Sequence, residues 1–189
     1  MGLPIAAPVA GLGRRGIAYL VDSLVVGVAY IGLTILFDLV FGPLVETTPD
    51  GTALLVVAVN PVRVALELTA TLLIDALYFA GCWCRWGATP AQRLLRIRVR
   101  MLGGQLPTRG TSDGLPVEAA WRRWAVLAIV PIAVGSLVAG GAVEADVLIF
   151  VNGDWFLGLL LSTMVDPLRR GFHDRVARTM VVPVPERPA

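Results

Sequence analysis

Four apolar stretches of roughly bilayer length constrain this chain more than anything else in it. A hydrocarbon layer about 30 Å thick is crossed by about 20 helical residues, and residues 16–41, 64–84, 124–143 and 147–165 fit that scale. Hydrocarbon offers no partner for a free N–H or C=O, so such spans are expected to be helices. The fold class expected is therefore all-α transmembrane: a four-helix membrane bundle forming one unit over residues 1–189. Composition points the same way, with 56 % hydrophobic residues, 16 % charged residues and a mean hydropathy of +0.74. A chain this short cannot hide that much apolar surface in one core, so the excess must face lipid. A soluble enzyme and a disordered chain are both excluded.

Arginine placement orients the spans. All 16 basic residues are arginine, and 14 acids leave a formal charge of +2. With four spans, one side receives the N-terminus, the 85–123 loop and the tail from 166 to 189, and with them every arginine except Arg63. The positive-inside rule then puts both termini in the cytoplasm. Trp83, Trp86, Trp121 and Trp124 lie at span ends on that side, where amphipathic indoles favour the interface. The first 13 residues lack a basic segment followed by an apolar core, so no cleavable signal peptide is expected.

Two features interrupt the later spans. Pro131 is expected to kink the third. Asn152-Gly153-Asp154 reads as a turn in the fourth, which is either a weakened continuous helix, the favoured reading, or a loop before a short helix starting at Trp155.

Between spans two and three, Thr89-Pro90 has the form of an N-cap and first helical residue. Arg96 to Arg100 alternates charged and apolar residues, the period of a half-buried strand. Gly103-Gly104 reads as a turn, with Gln105-Leu106 returning from it. Thr179 to Val184 is a second β-branched run. These segments are expected to pair as a small β-structure beneath the membrane, with residues 108–117 as linker. The arginines there lack the aromatic interleaving of a nucleic-acid surface and fit contact with anionic lipid headgroups instead.

Ionisable residues within spans are costly and therefore functional candidates. Arg15 and Asp22 share a helix face about 10 Å apart, and Ala18, Ala29 and Gly32 make that face small enough for close helix approach. Arg63, Glu67, Thr71 and Asp75 recur every four residues, and Arg63 can pair with Glu67. Asp22 and Asp75 both fall in the inner half of their spans. Were they neighbours in a dry site, one would hold a proton near neutral pH, an arrangement suited to proton or cation exchange. The competing reading is that each acid is hydrogen-bonded across a helix interface and fixes packing. Asp38 reads as interfacial, and Asp154 as a costly acid in the fourth span. Cys82 and Cys84 suggest reduced thiols rather than a metal site, and His173 beside Asp174 suggests a hydrogen bond at the membrane surface. No nucleophile set, phosphate loop or metal cluster is readable, so no enzyme activity, cofactor or metal is expected.

Three separated motifs resemble one family. Arg15-Gly16-Ile17-Ala18-Tyr19-Leu20-Val21-Asp22 is similar to the R-x-x-A-x-x-x-D opening of the RDD family of bacterial membrane proteins. Gly87 to Leu95 with Arg98-Val99 resembles its G-x-T-x-G-K-x-L-L…R-V segment, and Gly171 to Thr179 its closing G-x-H-D-R-x-A-x-T. The resemblance implies that Arg15, Asp22 and Asp174 are the family's arginine and two aspartates, with Thr89, His173 and Arg175 in supporting motif positions. It also implies a multi-pass inner-membrane protein with transport suspected. Ala91-Gln92 departs from the usual Gly-Lys, and Arg178 stands where glycine is common. Asp75, Glu67 and Asp154 lie outside the pattern.

Two functions follow as expectations. One is a carrier of protons or small cations using Asp22, Asp75 and Glu67, working as a homo-oligomer or with a membrane partner because four spans are few for a solitary carrier. The other is a non-transporting scaffold or assembly factor with an arginine-rich cytoplasmic face. Arg15 or a neighbouring arginine is expected to pair with Asp174 and clamp the tail beneath the bundle.

Overall fold

The chain lays down a pair of long helical segments, a short helix and a strand, and then repeats that order. A computed structural model describes residues 9–43, 45–47, 54–56, 60–103, 114–139 and 145–184. Helix α1 (Leu12–Phe41) is followed by a two-stranded antiparallel pair, β1 (Val45–Thr47) with β2 (Leu54–Val56). Next comes α2 (Pro61–Ala76), which runs through a π-helical turn at Leu77–Gly81 into α3 (Cys82–Trp86). A short α4 (Pro90–Leu94) and β3 (Ile97–Met101) complete the first half. The second half is α5 (Val117–Ala139), α6 (Ala145–Val165), α7 (Phe172–Val176) and β4 (Thr179–Pro183).

Two of these helices are long and apolar enough to cross a membrane, Leu12–Phe41 and Val62–Trp86, and Phe150–Val165 is a shorter apolar stretch. Helix α6 is continuous through Asn152-Gly153-Asp154, and α5 runs through Pro131. The expected return at 105–106, most of the 108–117 linker and the first eight residues lie outside the described residues.

Local chemistry explains the boundaries. Asn60 Oδ1 accepts from the Val62 and Arg63 amides at 3.0 and 3.3 Å, capping α2 ahead of Pro61. Gly87 ends α3 in the left-handed region (φ 65°), its N–H reaching the Trp83 carbonyl at 3.0 Å. Thr89 caps α4 as the sequence suggested and does so in a reciprocal box. Its Oγ1 accepts from the Gln92 amide at 3.2 Å, while Gln92 Oε1 accepts from the Thr89 amide at 3.0 Å. Gly114 is the one residue that fits where the chain re-enters, because a Cβ there would stand 1.7 Å from the Cys84 carbonyl oxygen.

The expected β-structure is present: β3 pairs antiparallel with β4, centred on Val99 opposite Val181. One constant shift along the sequence carries Pro90 onto Phe172, Arg96 onto Arg178 and Ile97 onto Thr179. Arg96 and Arg178 both take left-handed backbone, at φ 53° each. The flanking bonds repeat too. Leu102 N–H donates to the Arg178 carbonyl and Val184 N–H to the Arg96 carbonyl, both at 2.8 Å. The backbone of α4–β3 is thus built again as α7–β4.

The buried core sits at this end. Trp83, Ile97, Val99, Ala120 and Val181 cluster where the sheet meets α3 and α5. Along the middle of α1, by contrast, Leu24, Val28, Ile31, Ile35 and Leu39 are exposed. A soluble protein would not display such a row; lipid accounts for it. Trp83 belongs to the core, under the Arg123 guanidinium at 4.7 Å, so it is not the interfacial anchor its position suggested. Trp86 and Trp121 are exposed.

Candidate functional site

Among the described residues, two cavities lie between the halves. The lower one, toward the β3–β4 end, is about 390 Å³ and is lined by Arg15, Asp22, Arg123, His173 and Asp174 among others. The upper one, about 440 Å³, is lined by Tyr30, Thr71, Asp75 and Pro131 among others. Tyr19, Phe79, Leu127 and Phe156 border both. Across this shared wall the Tyr19 and Phe156 rings meet at 5.4 Å between centroids. The π-helical turn places Tyr78 and Phe79 just beyond Asp75, where such turns often sit near functional residues.

Asp22 is 1 % exposed, on a face shared with buried Ala18 and Val26. Ala29 and Gly32 are exposed, so the close-packed stripe expected from sequence stops after Val26. The Asp22 carboxylate accepts from Tyr78 Oη at 2.6 Å, Thr89 Oγ1 at 2.5 Å and the Ala91 amide at 3.3 Å. Thr89 is fully buried and ties this acid to α4. Asp75 has a separate set of donors, Tyr30 Oη at 3.1 Å and Trp124 Nε1 at 2.8 Å. The two acids therefore do not share the dry site that sequence reasoning considered.

Asp174 is buried against Arg123, with Thr179 Oγ1 donating to the same carboxylate oxygen at 3.0 Å. Arg123 Nη1 also donates to Thr179 Oγ1 at 3.1 Å. Arg15 stands 3.8 Å from the other oxygen, and its own bonds go to the carbonyls of Arg169 and Val181, at 2.5 and 3.0 Å. Asp174 is thus paired with both arginines, closely with Arg123 and at 3.8 Å with Arg15, which also ties α1 to the tail backbone.

His173 Nε2 lies 3.5 Å from Asp174. Burial, followed by the positive charges of Arg123 and Arg15, holds the imidazole well below its ordinary range, so it is neutral at neutral pH. Gly171 leaves room for that ring, since a Cβ there would come within 2.6 Å of His173 Cε1. Just before it, the Arg170 side chain bonds Asp166 and keeps that carboxyl below the usual range.

The remaining candidates lie elsewhere. Glu67 accepts from Thr34 Oγ1 at 3.0 Å and stands 3.6 Å from Arg63, in the N-terminal half of α2. Arg63, 1 % exposed, also pairs with Asp38, which makes Asp38 a tie between α1 and α2 rather than a free interfacial acid. Arg175 lies over the Phe172 ring at 5.8 Å, and Asp154 is exposed outside both cavities. Cys82 and Cys84 are free thiols. Among the described residues no three His, Cys, Asp or Glu side chains converge as a metal site.

Sequence reasoning passed over Arg123, Tyr30, Tyr78 and Trp124. Arg123 had been counted with the topology arginines. A signal for it was available, because Ala119 and Arg123 repeat the four-residue spacing of Ala18 and Asp22, and all four are buried.

No curated protein and no solved structure matches the chain. The model of the RDD family, however, matches residues 9–178. Those residues hold Arg15, Asp22 and Asp174 together with the exposed apolar helices, and the chain belongs to the RDD family of membrane-type proteins.

Proposed function

We propose that this is a four-span inner-membrane protein with both termini in the cytoplasm, in which Asp75 exchanges a proton or small cation within the upper cavity. One observation carries the reading. Asp75 lines a cavity of about 440 Å³ between the halves and is held by two neutral donors. Asp22 is more heavily committed, with three donors that bind it to the π-helical turn and to α4. It therefore serves as an anchor while Asp75 serves as the exchanging group. The shared wall at Tyr19 and Phe156 would separate this cavity from the lower one. The sorting of arginines to one side supports the orientation. A homo-oligomer supplies the spans that a single copy lacks.

Flux tests this directly. Purified protein in proteoliposomes is challenged with proton or sodium gradients, and Asp75→Asn is compared with wild type at equal folded amounts. Loss of flux in Asp75→Asn is expected; equal flux from the two proteins sinks the carrier reading.

The second reading, a non-transporting scaffold or assembly factor, draws on the buried Arg123–Asp174 pair, which fastens α5 to α7. It is tested by co-purification in mild detergent. A stoichiometric membrane partner together with no flux favours it.

A further inference from the structure

The lower cavity has a polar end that its own residues leave unsatisfied and a side that opens toward lipid. Within it, Arg15 Nε, Arg123 Nε, His173 Nδ1 and Asp174 Oδ2 are buried without a hydrogen-bond partner. Arg123 is 4 % exposed and Asp174 fully buried, so bulk water does not supply those bonds. Arg15 Nη1 stands 3.8 Å and His173 Nε2 3.5 Å from Asp174 Oδ2, both too far for a good bond. Two guanidinium N–H groups thus await an anionic acceptor, and one carboxylate oxygen awaits a donor.

The rest of the cavity is apolar and lies between α1 and α6. Helix α1 packs against α2 and α4, and α6 against α5 and α7. Leu20 of α1 and Leu157 and Leu160 of α6 line the gap and are 64, 52 and 48 % exposed. The groove therefore runs from the hydrocarbon to the charged cluster.

We propose that this groove is a binding site for a membrane glycerophospholipid whose headgroup carries a hydrogen-bond donor. The phosphodiester accepts from Arg15 and Arg123. The headgroup hydroxyl or ammonium donates to Asp174 Oδ2, as in phosphatidylglycerol or phosphatidylethanolamine, and an acyl chain lies along Leu20, Leu157 and Leu160. Charge complementarity selects this occupant, because a purely anionic ligand would leave Asp174 Oδ2 without a donor and a purely apolar one would leave the Arg15 and Arg123 Nε groups without an acceptor. The site rests on the membrane assignment and stands whether or not Asp75 moves an ion.

The experiment uses the full chain purified in mild detergent. Native mass spectrometry reads retained lipid, and thermal unfolding is followed with phosphatidylglycerol, phosphatidylethanolamine, phosphatidylcholine or glycerol phosphate added. Wild type is expected to retain one phospholipid and to melt about 5 °C higher with saturating phosphatidylglycerol or phosphatidylethanolamine. Phosphatidylcholine, whose quaternary ammonium has no donor, and glycerol phosphate, which has no chain, should each shift it less. Leu160→Trp and Leu20→Trp fill the groove from opposite walls without touching the charged cluster. At least one of them should fold and lose both the retained lipid and the shift. Equal shifts from phosphatidylcholine, an equal shift from glycerol phosphate, or full retention in both folded variants would each overturn the proposal.

Discussion

The two halves fasten a long helix to a short one in the same place with opposite charge. In the first, Asp22 of α1 reaches the start of α4 and finds a hydroxyl and an amide. In the second, Arg123 of α5 reaches α7 and finds the carboxylate of Asp174. The backbones of α4–β3 and α7–β4 match in boundaries, in left-handed arginine and in flanking bonds. Side-chain chemistry, rather than main-chain geometry, is therefore what distinguishes them. Asp22 is capped by neutral donors on both oxygens. Asp174 keeps one oxygen unbonded. The first fastening is saturated and the second retains valence, which is why the unsatisfied polar cluster gathers around α7.

Breaking the second fastening should cost most. Arg123→Met leaves Asp174 buried without its close cation, and losing one partner of a buried pair costs about 3–5 kcal/mol. Thermal or denaturant unfolding in detergent measures it. A loss no larger than that of a surface substitution would show that the two fastenings are not comparable.

Asp22→Asn should cost less, about 1–3 kcal/mol, because the amide presents N–H groups to donors and leaves one of them unmet. The same unfolding assay checks the ranking. If Asp22→Asn is the more damaging of the two, the first half depends on charge after all.

The smallest effect concerns pH and sharpens the contrast, since the second half alone has an imidazole beside its pin. The folded state holds His173 below its unfolded value, which is about 6.5. Between those two values the unfolded chain binds more protons, so stability falls as pH drops below about 6.5 and carries no such penalty above it. His173→Gln should flatten the stability profile on that acidic side. An unchanged slope would mean that other groups set it.

Sequence and structure agree wherever the cause is local or repeats along the chain. Thr89-Pro90 announces its own cap, the alternation over Arg96–Arg100 announces a strand, and long apolar runs announce helices. Long-range pairing was harder to read. Nothing near Asp75 in sequence names Trp124 or Tyr30 as its donors, and nothing near Asp38 names Arg63. The Asp174 clamp was legible as a need for a cation. Which arginine met it most closely depended on helix packing that brings Arg123 of α5 nearer to Asp174 than Arg15 of α1. The β1–β2 pair was missed although Pro49-Asp50-Gly51, a turn-forming sequence, separates its strands.

The β3–β4 sheet also imposes an order of events. Strand β3 emerges from the ribosome before α5 and α6 exist, and its partner is made only after both. Until then Ile97 and Val99, fully buried in the finished protein, have no β4 to cover them. Closing the sheet thus joins the first half to the second only once both pairs of long helical segments have been synthesised. A chain that stalled in α6 would be left with an open strand edge, a ready target for quality control.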